Sequence, residues 1–280
     1  MPQLRTSKVP PDRPREPARR VTLAAVAAAF GVTKRSNARP AASRRAPPVA
    51  PERRREDRRS RHGGTLMKLY SYFRSSAAFR VRIALHLKKL PFDYVPVHLL
   101  RDGGQQLTDD YRALNPDALV PTLIDGDSPL QQSLAIVEYL DEAYPDVPLL
   151  PKAPVDRAYV RAIALQVACE IHPLNNLRVL KYLKHTLQVD DYAKDAWYRH
   201  WIEDGFKSLE ARLSSDPRAG KLCFGDAPTL ADLCVVPQVF NAQRFSIGLE
   251  RFPTIQRIHD HAMTLDAFKA AAPAAQPDAE

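Results

Sequence analysis

Apolar and polar positions fall into two regimes along this chain. Between Met67 and Pro145 strand-like runs alternate with helical ones; beyond Pro145 the apolar residues keep helical spacing only. In the first regime MKLYSYF (67–73) is a short aromatic strand, and an amphipathic helix carrying Arg80 and Arg82 follows over 76–87. Lys88-Lys89-Leu90-Pro91 breaks that helix, and FDYVPVHLL (92–100) is a second strand. DGGQQ and NPDA are loop signals around one short helical turn, VPTLID (120–125) is a third strand, and SPLQQ (128–132) completes a hairpin. SLAIVEYLDEAY (133–144) is a strongly periodic helix ending at Pro145. A βαβ unit followed by a ββα unit makes an α/β domain over 67–147.

The second regime begins after the proline-rich connector PDVPLLPKAP, whose linker core is 148–154. One helix is expected over 155–185, bent or broken at Pro173. Another spans 192–213, where Trp197, Trp201, Phe206, Leu209 and Leu213 recur at helical spacing and read as core packing. Thr229-Leu-Ala-Asp232 has the form of a capping box ahead of an apolar run, and a last helix covers 252–270. The result is an all-α domain over 155–272, with a tail at 273–280.

Charge changes this picture only at one end. The net charge of +9 suggests a nucleic-acid binder until it is located: residues 1–66 hold 17 Lys+Arg against 5 Asp+Glu, and residues 67–280 hold 24 against 27. The basic extension also contains 9 of the 25 prolines and, outside VTLAAVAAAF, too few apolar residues for a core, so disorder is expected. It has three readings. Arg19-Arg20 before VTLAAVAAAF has the look of a twin-arginine or secretory signal, but a long Arg/Pro-rich stretch follows it. A nucleic-acid arm would want aromatics among its arginines, and none interleave them, although the basic extension leaves this open. The favoured reading is an idle extension from an upstream start, with Met67 the natural first residue.

Cys169, Cys223 and Cys234 show no CxxC or metal spacing and are expected as buried, reduced thiols of a cytoplasmic protein. The longest apolar runs fall short of a membrane span.

Candidate chemistry gathers at helix starts. Arg74-Ser75-Ser76 stands where a strand hands over to a helix; serine there caps the helix, and the helix end also attracts an anion or thiolate. Gln132-Ser133 repeats the arrangement at the next helix. Between them Val120-Pro121 precedes a strand; it is either an ordinary edge proline or a cis bond that leaves the Val120 backbone free for an extended peptide ligand. His172-Pro-Leu-Asn175-Asn176-Leu-Arg178 is polar inside an apolar helix. Arg74, Arg178 and Arg244 would bind a dianion if they converge and are surface arginines if they do not. No serine-hydrolase, zinc-protease or metal-site signature is present.

The motifs YSYFRSS-x-x-x-RVRIAL, DGGQQ, ALNP-x-x-x-VPTL, QSLAIVEYL and TLADLC-x-VPQV-x-NA-x-RF, in that order, resemble the zeta class of glutathione transferases, which includes maleylacetoacetate isomerase. The resemblance spans Met67 to Asp278, and HPLNN-x-R is closer still to bacterial glutathione-dependent maleylpyruvate isomerases. It implies a thioredoxin-like N-terminal domain, an all-α C-terminal domain and a homodimer, with glutathione as cofactor and a small dicarboxylate keto acid as substrate. It places Ser75 and Ser76 at the glutathione sulfur. Gln106, Val120, Gln132, Ser133, His172, Asn176 and Arg178 would hold the peptide and line the site. Arg74, Arg178 and Arg244 would face the substrate carboxylates.

The implied reaction is cis–trans isomerisation of maleylacetoacetate or maleylpyruvate in aromatic compound or tyrosine degradation. A thiolate would add to the double bond, allow rotation and then leave. Ala77 stands where the family often has cysteine and Phe79 near its tryptophan, so no second protein thiol would take part. Alternatives are a zeta-like transferase acting on haloacids and a non-catalytic glutathione-fold binding module.

Overall fold

The computed structural model describes residues 66–280, so the expectation for 1–66 lies, apart from Leu66, outside the described residues. β1 (Met67–Ser71) buries alternate residues Met67, Leu69 and Ser71, as a strand of a covered sheet must. It pairs in parallel with β2 (Phe92–Pro96) and antiparallel with β3 (Thr122–Asp125), and β3 pairs antiparallel with β4 (Ser128–Gln131). The sheet order is therefore β2-β1-β3-β4. β2 stops short of the expected 100 because His98 Nδ1 accepts the N–H groups of Leu100 and Arg101 and turns the chain.

Helix α1 (Ser76–Leu87) has the expected bounds but not the expected amphipathic character: Ser76 and Ala78 to Leu85 are buried, Arg80 and Arg82 included. It is wedged against α3 (Ser133–Ala143), α7 (Leu230–Arg244) and α9 (Asp266–Ala271), so it has no solvent face for a polar stripe. Arg82 is fully buried because four acceptors surround it. It donates to Ala271 O (2.9 Å), Ser71 Oγ (3.1 Å), Tyr72 O (3.4 Å) and Phe73 O (3.0 Å). These bonds tie the loop after β1 to the far end of the chain, and burial pushes the Arg82 pKa down to about 10.

Between β2 and β3 the single expected turn is two 3-10 turns (Arg101–Gly103 and Gln105–Leu107) and a short helix, α2 (Asp109–Leu114). The expected helix over 155–185 is four pieces: α4 (Pro154–Leu165), a π-helical segment (Gln166–Ile171), a 3-10 turn (His172–Asn175) and α5 (Leu177–His185). Pro173 lacks the N–H that would continue the ladder, and Asn176 re-caps the chain by accepting from Arg178 N–H. In α6 (Asp191–Ser215) the buried stripe is Tyr198, Ile202, Phe206, Leu209 and Leu213. Trp197 and Trp201, expected in that stripe, sit half-buried one position off it, and the Trp197 indole donates to Leu174 O at 2.8 Å. Gly205 lies where α6 meets the π-helical segment; a Cβ there would collide with Ile171.

The last helix divides into α8 (Pro253–Ala262) and α9 at Met263-Thr264-Leu265, where short-range turn bonds replace the helical ladder. Residues 273–280, expected as a tail, are docked: Pro273 and Gln276 are buried, and Asp278 accepts from Phe73 N–H at 3.1 Å and from the Tyr94 hydroxyl at 2.6 Å. One buried apolar cluster runs from Met67 and Leu69 in the sheet through α1, α4, α6 and α7 to Ala271. Cys223 and Cys234 lie in it, and burial pushes the Cys234 thiol up to about 11. Cys169 corrects the expectation of three buried thiols: it is exposed, in the π-helical segment.

Candidate functional site

The chain after β1 turns at Tyr72–Ser75 and enters α1 with Ser75 as N-cap. Its Oγ accepts from Ala78 N–H at 3.2 Å, so the capping role holds. That bond uses a lone pair, and the hydroxyl proton remains to be donated. Ser76, 4% exposed, accepts from Asn241 Nδ2 of α7 at 2.6 Å and likewise keeps its proton. Among the described residues the Ser76 and Ala77 backbone N–H groups enter no hydrogen bond. Two hydroxyl protons and two free N–H groups at the positive end of a helix form a place for an anion.

These serines line a cavity of about 530 Å³ together with Tyr72, Arg74, Gln106, Val120, His172, Asn176, Arg178 and Arg244. Three stretches of chain deliver the three arginines to it: the loop before α1, the first turn of α5 and the last turn of α7. Arg74 rests on the Phe73 ring at 4.8 Å, and Arg178 and Arg244 are exposed. Gln106 is buried, and its Oε1 has no hydrogen-bond partner among the described residues. The Val120–Pro121 bond is cis, and Val120 lies outside both strand ladders.

Gln132 and Ser133 do not line this cavity but an adjoining one of about 240 Å³, which shares Val120, His172, Asn176 and Arg178 with it. Gln132, at φ 65°, takes a backbone conformation that residues with a side chain seldom adopt. Its amide donates to Asp117 Oδ2 at 3.2 Å instead of capping α3, which leaves the first N–H groups of that helix open.

Sequence reasoning missed Arg80 and Asn241. Arg80 borders the smaller cavity, is 2% exposed, and donates from Nη1 to Ser133 Oγ at 3.1 Å. Its Nε and Nη2 have no partner among the described residues, and a buried guanidinium in that state calls for an anion. His172 stands in the wall common to both cavities. Burial first, and then the Arg80 charge, push its pKa down to about 3, so it is a neutral imidazole there. Asn241 was findable: it stands three residues before Arg244 in NAQRF, on one face of a helix. Arg80 was not, because its partner Ser133 is 53 positions away.

Both cavities suit an extended polar ligand that carries anionic groups. The orphaned Arg80 nitrogens, the orphaned Gln106 Oε1 and two open helix starts are the complementary groups.

Residues 69–148 match the family model described as glutathione S-transferase, N-terminal domain. A probable maleylacetoacetate isomerase of Vibrio cholerae is 51% identical over 211 residues, 75% of this chain and 97% of that protein. A holo structure of maleylpyruvate isomerase, described as a bacterial glutathione S-transferase in the zeta class, matches with TM-score 0.74 and 48% identity, over 76% of this chain and 100% of the other. A maleylacetoacetate isomerase of Methylobacterium extorquens AM1, solved with bound malonate and glutathione, matches with TM-score 0.74 and 42% identity, over 76% and 99%.

Proposed function

The chain belongs to the zeta class of glutathione transferases, the family of the maleylacetoacetate and maleylpyruvate isomerases, and from that we propose that it is a glutathione-dependent cis–trans isomerase of a maleyl keto acid. One observation carries the reading. The serine pair at the start of α1, braced by Asn241, faces the same cavity as Arg74, Arg178 and Arg244.

Glutathione, when bound, supplies a thiolate that adds reversibly to the substrate double bond. An unassisted thiol has a pKa near ~8.5 and is mostly protonated at neutral pH. The Ser75 hydroxyl and the open N–H groups of α1 favour the anion and so increase the thiolate fraction. Gln106, the Val120 backbone, Gln132, Ser133 and Asn176 would hold the peptide, and Arg80, which donates to Ser133, would pair with a carboxylate of it. The neutral His172 imidazole adds a hydrogen bond without a second charge. Arg74, Arg178 and Arg244 hold the substrate carboxylates and stabilise negative charge developing on the ketone oxygen.

We extend the proposal to a homodimer, implied by the family resemblance and testable by light scattering. A reducing cytoplasmic setting fits three free thiols. Among the described residues no helix is long and apolar enough to cross a membrane.

The test is isomerisation of maleylpyruvate and maleylacetoacetate, side by side, with and without glutathione. Fast loss of one cis substrate only when glutathione is present establishes the activity and selects the substrate. Glutathione binding with neither substrate consumed transfers the assignment to transferase chemistry on haloacids.

A further inference from the structure

Residues 272–280 fold back onto the loop that carries the serines. Gln276 Nε2 donates to Ala270 O and Ala272 O, both at 2.9 Å, and the two Asp278 bonds fix the chain beside Phe73 and Tyr94. That course brings the Glu280 carboxylate among three donors. Arg74 Nη2 is 3.6 Å away, His98 Nε2 is 3.3 Å away, and Arg101 Nη2 is in direct contact. The His98 tautomer follows from its other nitrogen. Nδ1 accepts two backbone N–H groups, at 3.1 and 2.8 Å, so the ring proton is on Nε2, which lies close to the Glu280 carboxylate but makes no hydrogen bond among the described residues. Two guanidinium groups and an imidazole N–H around one carboxylate make a carboxylate site. It adjoins the main cavity, whose wall includes Arg74, Leu99 and Leu100.

We propose that Arg74, His98 and Arg101 form a carboxylate-binding site at the cavity mouth, and that Glu280 occupies it as a tethered competitor which an incoming dicarboxylate displaces. The proposal rests on the assignment of Arg74 to a substrate carboxylate. Asp278 anchors the segment two residues earlier, so displacement needs only the exposed side chain of Glu280 to swing away. A ligand carboxylate meets Arg74 only after that exchange, and apparent affinity is lowered in proportion. Partly exposed ion pairs are weak, so the expected penalty is about two- to fivefold.

The test uses the full chain and Glu280→Gln, which removes the charge and keeps the size. Malonate binding is measured by calorimetry at fixed salt, beside Arg74→Ala and the double variant. Malonate should bind about two- to fivefold tighter to Glu280→Gln, and the gain should vanish in the Arg74→Ala background. Equal or weaker malonate binding to Glu280→Gln, at an unchanged melting temperature, overturns the proposal; so does a gain that persists without Arg74. A melting temperature lowered by Glu280→Gln is resolved with Glu280→Ala under the same criteria. Calorimetry does not depend on turnover. Tighter malonate binding without isomerisation would sink the functional assignment and leave the carboxylate site standing.

Discussion

Ser75 and Ser76 stand side by side in sequence and differ in what holds them. Ser75 answers to its own helix, through Ala78 N–H, and Ser76 to a residue 165 positions away, Asn241. Ser75→Ala should cost the fold about 1 kcal/mol for the lost cap. Turnover at saturating glutathione should fall about 100-fold if the hydroxyl favours the thiolate. A preserved rate with the small loss of stability would reduce Ser75 to a cap. Arg80 reverses this balance. Its buried, half-satisfied guanidinium costs stability, so Arg80→Met should leave the melting temperature equal or higher. The same change should raise the half-saturating glutathione concentration about tenfold or more. A destabilised variant with normal glutathione affinity would make Arg80 purely structural. His172 gives a pH signature. Its folded pKa lies below the unfolded value of 6.5, so between 6.5 and about 3 the unfolded chain binds the proton and the native one does not. Stability therefore falls as pH drops through that window. His86, lowered by burial and by Arg82, adds to the upper part of it. Urea unfolding at about pH 7 and about pH 5 should show a smaller difference for His172→Gln than for the parent protein.

At the scale of elements, α7 shows how local chemistry specifies a helix start. Asp232 is fully buried and accepts from Thr229 N–H (2.8 Å), Thr229 Oγ1 (2.9 Å) and Cys223 N–H (2.8 Å). Asp232→Ala strands three buried donors at once, so a loss of about 3 kcal/mol or more is expected. That is a fall of roughly 6–12 °C in melting temperature for a domain of this size. A fall of a degree or two would mean that water replaces the carboxylate. This box was legible because its residues are neighbours, as were the four strands and α1, whose signals are equally local. Interruptions were less legible. Pro173 announced a break, but the π-helical turn before it depends on how closely Gly205 lets α6 approach Ile171, which no local pattern encodes. The burial of α1 was hidden for the same reason: Arg82 reads as polar until the carbonyls of Tyr72, Phe73 and Ala271 are placed around it.

The whole molecule assembles the site from distant parts of the chain. Asp278 holds the loop before the serines across 205 positions, Asn241 holds Ser76 across 165, and Arg82 reaches Ala271 across 189. The residue types were visible in the sequence, but these pairings belong to the folded topology. The helical region thus supports the cofactor end of the sheet region through bonds and through a shared apolar cluster. Such continuity predicts one cooperative transition. Both tryptophans, Trp197 and Trp201, lie in α6, so their fluorescence reports the helical region, whereas a label on β2 would report the sheet. The two melting curves should coincide, and glutathione at a hundred times its dissociation constant should raise both by about 5–10 °C, the equivalent of about 2.7 kcal/mol. A sheet that melts first, with only its curve responding to glutathione, would break the coupling. Asn241 and Asp278 would then be passengers, because a helical region that unfolds independently cannot be what holds Ser76 and Phe73 in place.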